Sequence, residues 1–462
     1  MTAHNRAPNH QLRALLREAA WTGERLARAV NRAGRADGHA YRYDRTSVAH
    51  WLNGSRPAEP VPRIVAEVLS RALGRRVTVP ETGLGVAQAA AEGVPEQRSG
   101  GIGGAGSAGR TGLAGPAAGF PGPSGLLALA GVERAPGLLV YSAVGDAILP
   151  FSVPAALTAP TARTGRPVRV GPAHLVAAED FLRAVLAGES LLGPGHCRKA
   201  LVGYLTTVLA GWLDAPAAPG VRRDLLCRAA ELCYLAGFAY FDLRRQGAAQ
   251  AWYRTAAQLA AEGADPHLHA LVLRAASVQA YGLGHRRYAQ DLADAAGARI
   301  GSLPPRQAAF VRGQQALAAA GRGDRATAFE LLTRTEHLLD RAGPPTPGIG
   351  GYDWAAYAHQ LAEVHAALGE TDAAIRALVR SARERPASER RAAAITNARL
   401  AELLLSQGRL DRACEVWQGL LDARPRISSG RLDAARAAFR TALTRFPHSP
   451  AARALLARLR AE

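Results

Sequence analysis

Apolar residues recur every three or four positions in two stretches of this chain, and the pattern lapses between them. Residues 10–76 read as four or five short helices. Thr22 is placed to cap GERLARAVNRA, whose Leu26, Val30 and Ala33 form one apolar stripe, and Asp44 to cap RTSVAHWLN. In the latter, Val48, Trp51 and Leu52 face inward while Arg45, Thr46, Ser47, His50 and Asn53 face outward, and Gly54 ends the helix. Pro57, Pro60 and Pro62 precede IVAEVLSRAL, where Ile64, Val65, Val68, Leu69 and Leu73 close a small core. From about Val170 the helical period returns.

The interruption has a compositional cause. Residues 85–131 hold 14 Gly in 47 positions and hardly any large apolar side chains before Leu126, so burial cannot offset the entropy of ordering them. A flexible tether is expected there. Its formal GxGxxG, Gly101 to Gly106, has neither a preceding strand nor a following helix, which argues against a dinucleotide loop. The resulting division is 1–84, a small helical domain; 85–135, linker; 136–222, a helical lead-in; and 223–462, repeats with a terminal cap.

The repeats show in self-comparison. Gly369, Asp372 and Ala374 recur as Gly408, Asp411 and Ala413 and as Gly430, Asp433 and Ala435, each Gly followed 17 residues on by Pro386, Pro425 or Pro447. Gly323, Asp324 and Ala328 form a weaker copy without the proline, and upstream Gly237, Tyr240, Ala249, Tyr253 and Ala256 stand at tetratricopeptide spacing. In such a helix pair the glycine makes the turn and the small alanine admits the neighbouring helix. The alanines Ala249, Ala289, Ala328, Ala374 and Ala413 are 40, 39, 46 and 39 residues apart, which predicts helices longer than the 34-residue consensus allows. Ala435 follows Ala413 by only 22, so the last unit is expected to lack its first helix and to end, with SPAARALLARLR, as a cap.

Charge sharpens the picture at the ends. The net charge of +19 divides into +8 over residues 1–80, +7 over 424–462 and +4 over the 343 residues between, and Lys199 is the only lysine. A short helix with an outer face of Arg, His and small polar residues suits entry into a DNA major groove: Arg45, Thr46, Ser47, His50 and Asn53 are the candidate base contacts. Arg25, Arg42 and Arg56 are the candidate phosphate contacts. The same pattern also suits the solvated face of a helical bundle, and residues 34–43 are longer than a usual helix-turn-helix turn.

TSVAHWLNG resembles the recognition helix of the lambda-repressor-like (XRE) fold. More broadly, YRYDRTSVAHWLNGSRP with VPRIVAEVLSRALGRRVTV, and downstream RVGPAHLVAAEDFLRAVL, LCRAAELCYLAGFAYFDLRRQGAAQAWYRTAAQLA and ASVQAYGLGH, resemble actinobacterial regulators that join such a domain to tetratricopeptide-like repeats. That group includes a negative regulator of development and antibiotic production. The resemblance covers about 1–84 and 167–370 and implies an all-α DNA-binding transcriptional regulator whose solenoid contacts protein or peptide. The repeats are expected either to dimerise the chain or to sense a partner, and a two-fold homodimer would read a pseudo-palindromic site. A protein-only scaffold with a structural N-terminal bundle is the alternative.

Other chemistry is not apparent. No HExxH, GxSxG or GxxxxGK[ST] occurs, so neither an enzyme nor a cofactor is expected. His267 and His269 stand at an expected helix start and are not read as metal ligands, and Cys227 and Cys233 read as core. Tyr234, Phe238, Tyr240, Phe241, Trp252 and Tyr253 suit interhelical packing or a peptide groove. Arg431, Arg436, Arg440, Arg453, Arg458 and Arg460 suit a solvated cap or a second contact surface. Four cysteines without pairing spacing and a polar N-terminus point to the cytoplasm, and the apolar residues 137–158 are broken by Asp146, Pro150 and Pro154, against a membrane span.

Overall fold

Every element of the described residues is helical, apart from one parallel bridge between Val170 and Ala217. The computed structural model describes residues 8–36, 40–73, 77–84, 169–344, 348–422 and 427–461, with isolated positions 126, 129, 139 and 141–143. The GxGxxG and the rest of the expected tether lie outside them, except Leu126 and Leu129, which are fully buried. The chain divides into two compact units, residues 1–28 with 43–120 and residues 29–42 with 121–462.

Four short helices occur in the N-terminal region: α1 (His10–Glu18), α2 (Gly23–Ala36), α3 (Arg45–Leu52) and α4 (Val61–Leu73), followed by a 3-10 turn at Pro80–Thr82. Thr22 and Asp44 cap as their residue types predict: Thr22 Oγ1 accepts from Arg25 N at 3.2 Å, and Asp44 accepts from Ser47 N at 2.8 Å. Leu12, Leu15, Leu26, Val48, Trp51, Ile64, Val65, Val68 and Leu69 are buried, while Leu52 and Leu73, assigned to the core by periodicity, are only half-buried. Asn9 escaped sequence reasoning. It caps α1 through Leu12 N, donates from Nδ2 to Thr82 O at 2.9 Å, and thereby ties the first helix to the last turn.

In the second unit, α5 (Pro172–Leu192) leads to α6 (Pro194–Gly203), which runs through a π-helical stretch, Tyr204–Leu209, into α7 (Ala210–Asp214). Antiparallel pairs follow: α8 (Pro219–Asp242) with α9 (Gln246–Glu262), α10 (Pro266–Gly282) with α11 (Arg286–Gly297), α12 (Pro305–Ala320) with α13 (Arg325–Asp340), α14 (Trp354–Ala367) with α15 (Thr371–Glu384), and α16 (Arg390–Ser406) with α17 (Leu410–Asp422). The final helices are α18 (Gly430–Leu443) and α19 (Pro450–Ala461). Gly284, Gly323, Gly369 and Gly408 make the tight turns of four pairs at φ of 73–88°. All five key alanines, Ala249, Ala289, Ala328, Ala374 and Ala413, are fully buried.

Two expectations about repeat length need correction. The 46-residue step arises from a long connection between Asp340 and Trp354, since α14 and α15 have 14 residues each. The last unit does not lack its first helix. α18 packs on α16 and α19 on α17, as first and second helices of a complete pair. Its second-helix alanine is the fully buried Ala452, 39 residues beyond Ala413, whereas Ala435 is half-buried on the first helix.

Gly430 therefore makes no turn. A Cβ there would come within 2.9 Å of the Leu243 Cα, so this glycine permits close approach of α18 to the end of α8. The end of the repeats indeed meets their beginning. α5 packs against both α8 and α16, Ser428 N donates to Leu192 O at 2.7 Å, and Gly195 N donates to Ser428 O at 3.2 Å. Arg391 of α16 joins the carboxylates of Glu189 and Asp242, the latter at 3.6 Å.

Candidate functional site

Helix α3 places the predicted contacts on one surface. Arg45, Thr46, His50 and Asn53 are exposed, as are Arg25, Arg42 and Arg56. Ser47 is not available in the expected way: it is half-buried, and its hydroxyl both donates to Asp44 Oδ1 at 2.8 Å and accepts from Asp44 N at 3.3 Å, closing a reciprocal capping box. The bond from the Ser47 backbone N–H, and after it the one from the Ser47 hydroxyl, hold the Asp44 carboxyl below its ordinary range, so the amino end of α3 already carries an anion. Arg25 covers the Trp21 ring at 5.1 Å, and Tyr43 meets Trp51 edge to face at 5.1 Å, which fixes the segment entering α3.

In the second unit the aromatic cluster divides between packing and a cavity. Tyr234, Tyr240, Trp252 and Tyr253 are buried between helices; Gly237 is required there because a Cβ would strike the Tyr253 ring at 2.6 Å. Phe238 and Phe241 stay half-buried beneath Arg391 and Arg431, with the guanidinium carbons 4.7 and 5.4 Å from the ring centres. Phe241 opens onto a cavity of about 540 Å³ where the first and last repeats meet. Arg244, Gln246 and Leu283 line one side, and Glu402, Arg431 and Phe439 the other. Arg244 holds the turn of the first pair at φ 62°, where the later pairs use glycine. A long side chain in that conformation is costly, and such strain concentrates where a side chain has a task.

The terminal arginines do not form one solvated surface. Arg431 points toward Asp242, and burial lowers its pKa against the raising effect of that carboxylate. Arg458 pairs with Asp422 at 2.8 Å, while Arg440, Arg453 and Arg460 are exposed. Cys233 is buried as expected, but Cys227 is half-buried against Gly263 O at 3.5 Å; all four cysteines are free. Burial holds the His269 pKa down, with Arg299 assisting, and no group of three or more His, Cys, Asp or Glu among the described residues could hold a metal ion. No helix of the described residues is long and apolar enough to cross a membrane.

Comparison with known proteins adds to this geometry. Residues 230–262, the heart of the α8–α9 pair, match the tetratricopeptide repeat. Residues 12–85 match the SP15 N-terminal domain, which corrects the assignment of an XRE helix-turn-helix to this region. The helix bounds agree: α2 ends at Ala36 and α3 begins at Arg45, a wider spacing than the tight turn of a helix-turn-helix allows. No curated protein matches the chain. Among solved structures, the APC/C hetero-tetramer Cut9–Hcn1 is similar at 18% identity over 62% of this chain, with a TM-score of 0.30. The chain covers 48% of that one, about half its length. The tetratricopeptide-like repeats mark the second unit as a protein-interaction module.

Proposed function

We propose that this protein is a transcriptional regulator in which the repeat unit binds a protein or peptide and the N-terminal unit engages duplex DNA. The observation that carries the partner-binding half is the tetratricopeptide match at residues 230–262, beside a cavity bounded by a strained arginine and the half-buried Phe241. DNA binding rests on the exposed Arg45, Thr46, His50 and Asn53 of α3, with Arg25, Arg42 and Arg56 as the cations for phosphate. Ser47 is assigned to the cap instead of to a base. Cytoplasmic action as a homodimer completes the reading, and free cysteines accord with it.

A gel-shift titration of the full chain on genomic DNA fragments at two salt concentrations tests it. Arg45→Ala combined with His50→Ala is expected to weaken binding at least tenfold, since a good base contact contributes ~1–3 kcal/mol. Affinity should also fall with salt. Equal binding by wild type and the double variant removes the DNA half and leaves a protein-only scaffold.

A further inference from the structure

Leu139 and residues 141–143, far along the chain from the repeats, lie on the solenoid like a bound peptide. Leu139 and Tyr141 are each 4% exposed, and the Tyr141 ring packs among Ala270 and Leu273 of α10 and Leu292 of α11, stacked on His285 at 5.3 Å. The next residue is gripped by its backbone. Gln250 of α9, 108 positions away, accepts from Ser142 N at 2.9 Å through Oε1 and donates to Ser142 O at 2.7 Å through Nε2. A primary amide offers one acceptor and one donor in a plane, so it can satisfy both polar groups of a single residue without consulting its side chain. Gln250 Cα sits one position after the repeat alanine Ala249, on the helix pair matched to the tetratricopeptide repeat.

This arrangement has the two parts of extended-peptide recognition: main-chain bonds for affinity and a pocket for one side chain for selectivity. The groove walls are Gln250 and Arg254 of α9, Gln279 of α10, and Tyr288 and Leu292 of α11, and only about 20 Å³ stays open beside Tyr141. The occupant fills it. The segment is covalently attached, so its effective concentration is that of an intramolecular ligand, and an outside peptide must compete with it.

We propose that the groove over α9, α10 and α11 is a binding site for an extended peptide with an aromatic anchor followed by a residue whose N–H and C=O are both free, and that Tyr141 and Ser142 occupy it in cis. The proposal deepens the partner-binding reading above and rests on it. A ligand peptide enters by displacing the internal segment, which makes occupancy of the groove a switchable property of the chain.

The test is fluorescence anisotropy with a labelled peptide of residues 137–145, GLLVYSAVG, added to the full-length protein. Tyr141→Ala empties the pocket and Ser142→Pro removes the N–H that Gln250 accepts, each by a different route. Either variant is expected to bind the peptide at least tenfold more tightly than wild type; Gln250→Ala added to either should cancel that gain. A peptide with alanine at its tyrosine should not bind. Equal affinity for wild type and the opened variants, no binding to either opened variant, or indifference to Gln250→Ala overturns the proposal. Failure of both opened variants to fold, read by circular dichroism, also overturns it, because a displaceable ligand cannot be indispensable to the fold. Partner capture by wild-type repeats alongside a negative peptide result would sink the groove alone and leave the broader reading standing.

Discussion

Arg244 and His359 show how single positions in the second unit depart from what their residue types prefer. Arg244 occupies the left-handed turn that Gly284, Gly323, Gly369 and Gly408 occupy in the later pairs, and it lines the cavity between first and last repeats. Arg244→Gly is expected to stabilise the protein by roughly 0.5–1 kcal/mol in urea titrations while weakening partner binding, the signature of strain kept for function. Loss of stability in that variant would assign the arginine a structural role. His359 lies opposite Thr396, 3.1 Å from its hydroxyl, with Glu363, Arg385, Arg399 and Arg431 around it. Burial is the main cause that pushes its pKa down to about 4, the arginines assisting and Glu363 opposing. The folded state then binds fewer protons than the unfolded chain between about pH 4 and the ordinary histidine value of 6.5, so this group costs stability as pH falls through that window. Glu231, raised by burial to about 7, acts in the opposite sense, favouring the fold as pH falls from about 7. Comparing His359→Gln with wild type isolates the histidine: the variant should lose less of its thermal midpoint between pH 6.5 and 4, and identical profiles would contradict the assignment.

At the scale of helices, the alanine pattern was legible where it was in phase and misleading where it was not. Ala249 through Ala413 stand at helix crossings because a methyl group is the largest side chain that the close approach admits. Gly430, Asp433 and Ala435 repeat the letters Gly-x-x-Asp-x-Ala at the start of a first helix, where the glycine answers to the backbone of Leu243 instead of to a turn. The letters are local, and the neighbour that selects them is not. Ala452→Leu is accordingly expected to destabilise the protein by ~1–3 kcal/mol, as overpacking does, and Ala435→Leu by clearly less. Chemical denaturation of the two variants decides between Ala452 and Ala435 as the second-helix position. The caps were the most legible feature: Thr22 and Asp44 stand where Ser, Thr, Asp and Asn side chains satisfy open amides, as do Asp324 and Asp353, whose roles the sequence reading did not single out.

For the whole second unit the governing feature is closure of its ends. Glu189 of the lead-in, Asp242 of the first pair and Arg391 of the fifth come together although nothing in their local sequence marks them as partners. The Asp242 side chain is fully covered, burial raising its pKa and Arg391 most strongly opposing the rise. Arg391→Ala is expected to cost about 1–3 kcal/mol, because it leaves the buried Asp242 carboxylate with Arg431, Ser429 and the Gly430 amide but without its strongest cation. The loss should be largely recovered by adding Asp242→Asn. If Arg391→Ala unfolds at the wild-type urea midpoint, the ends are not held by this cluster.

By itself, the sequence determined the helical character of the described residues, the stops and caps of α3, and the helix pairs from their glycines and buried alanines. These follow from interactions spanning a turn or two, or from a repeated period, and both are written along the chain. The tertiary structure alone decided that the last pair is complete, that Arg431 turns inward, and that Ser142 is held by Gln250. Each depends on a partner far along the chain, and the choice among many chemically equivalent partners is made by packing.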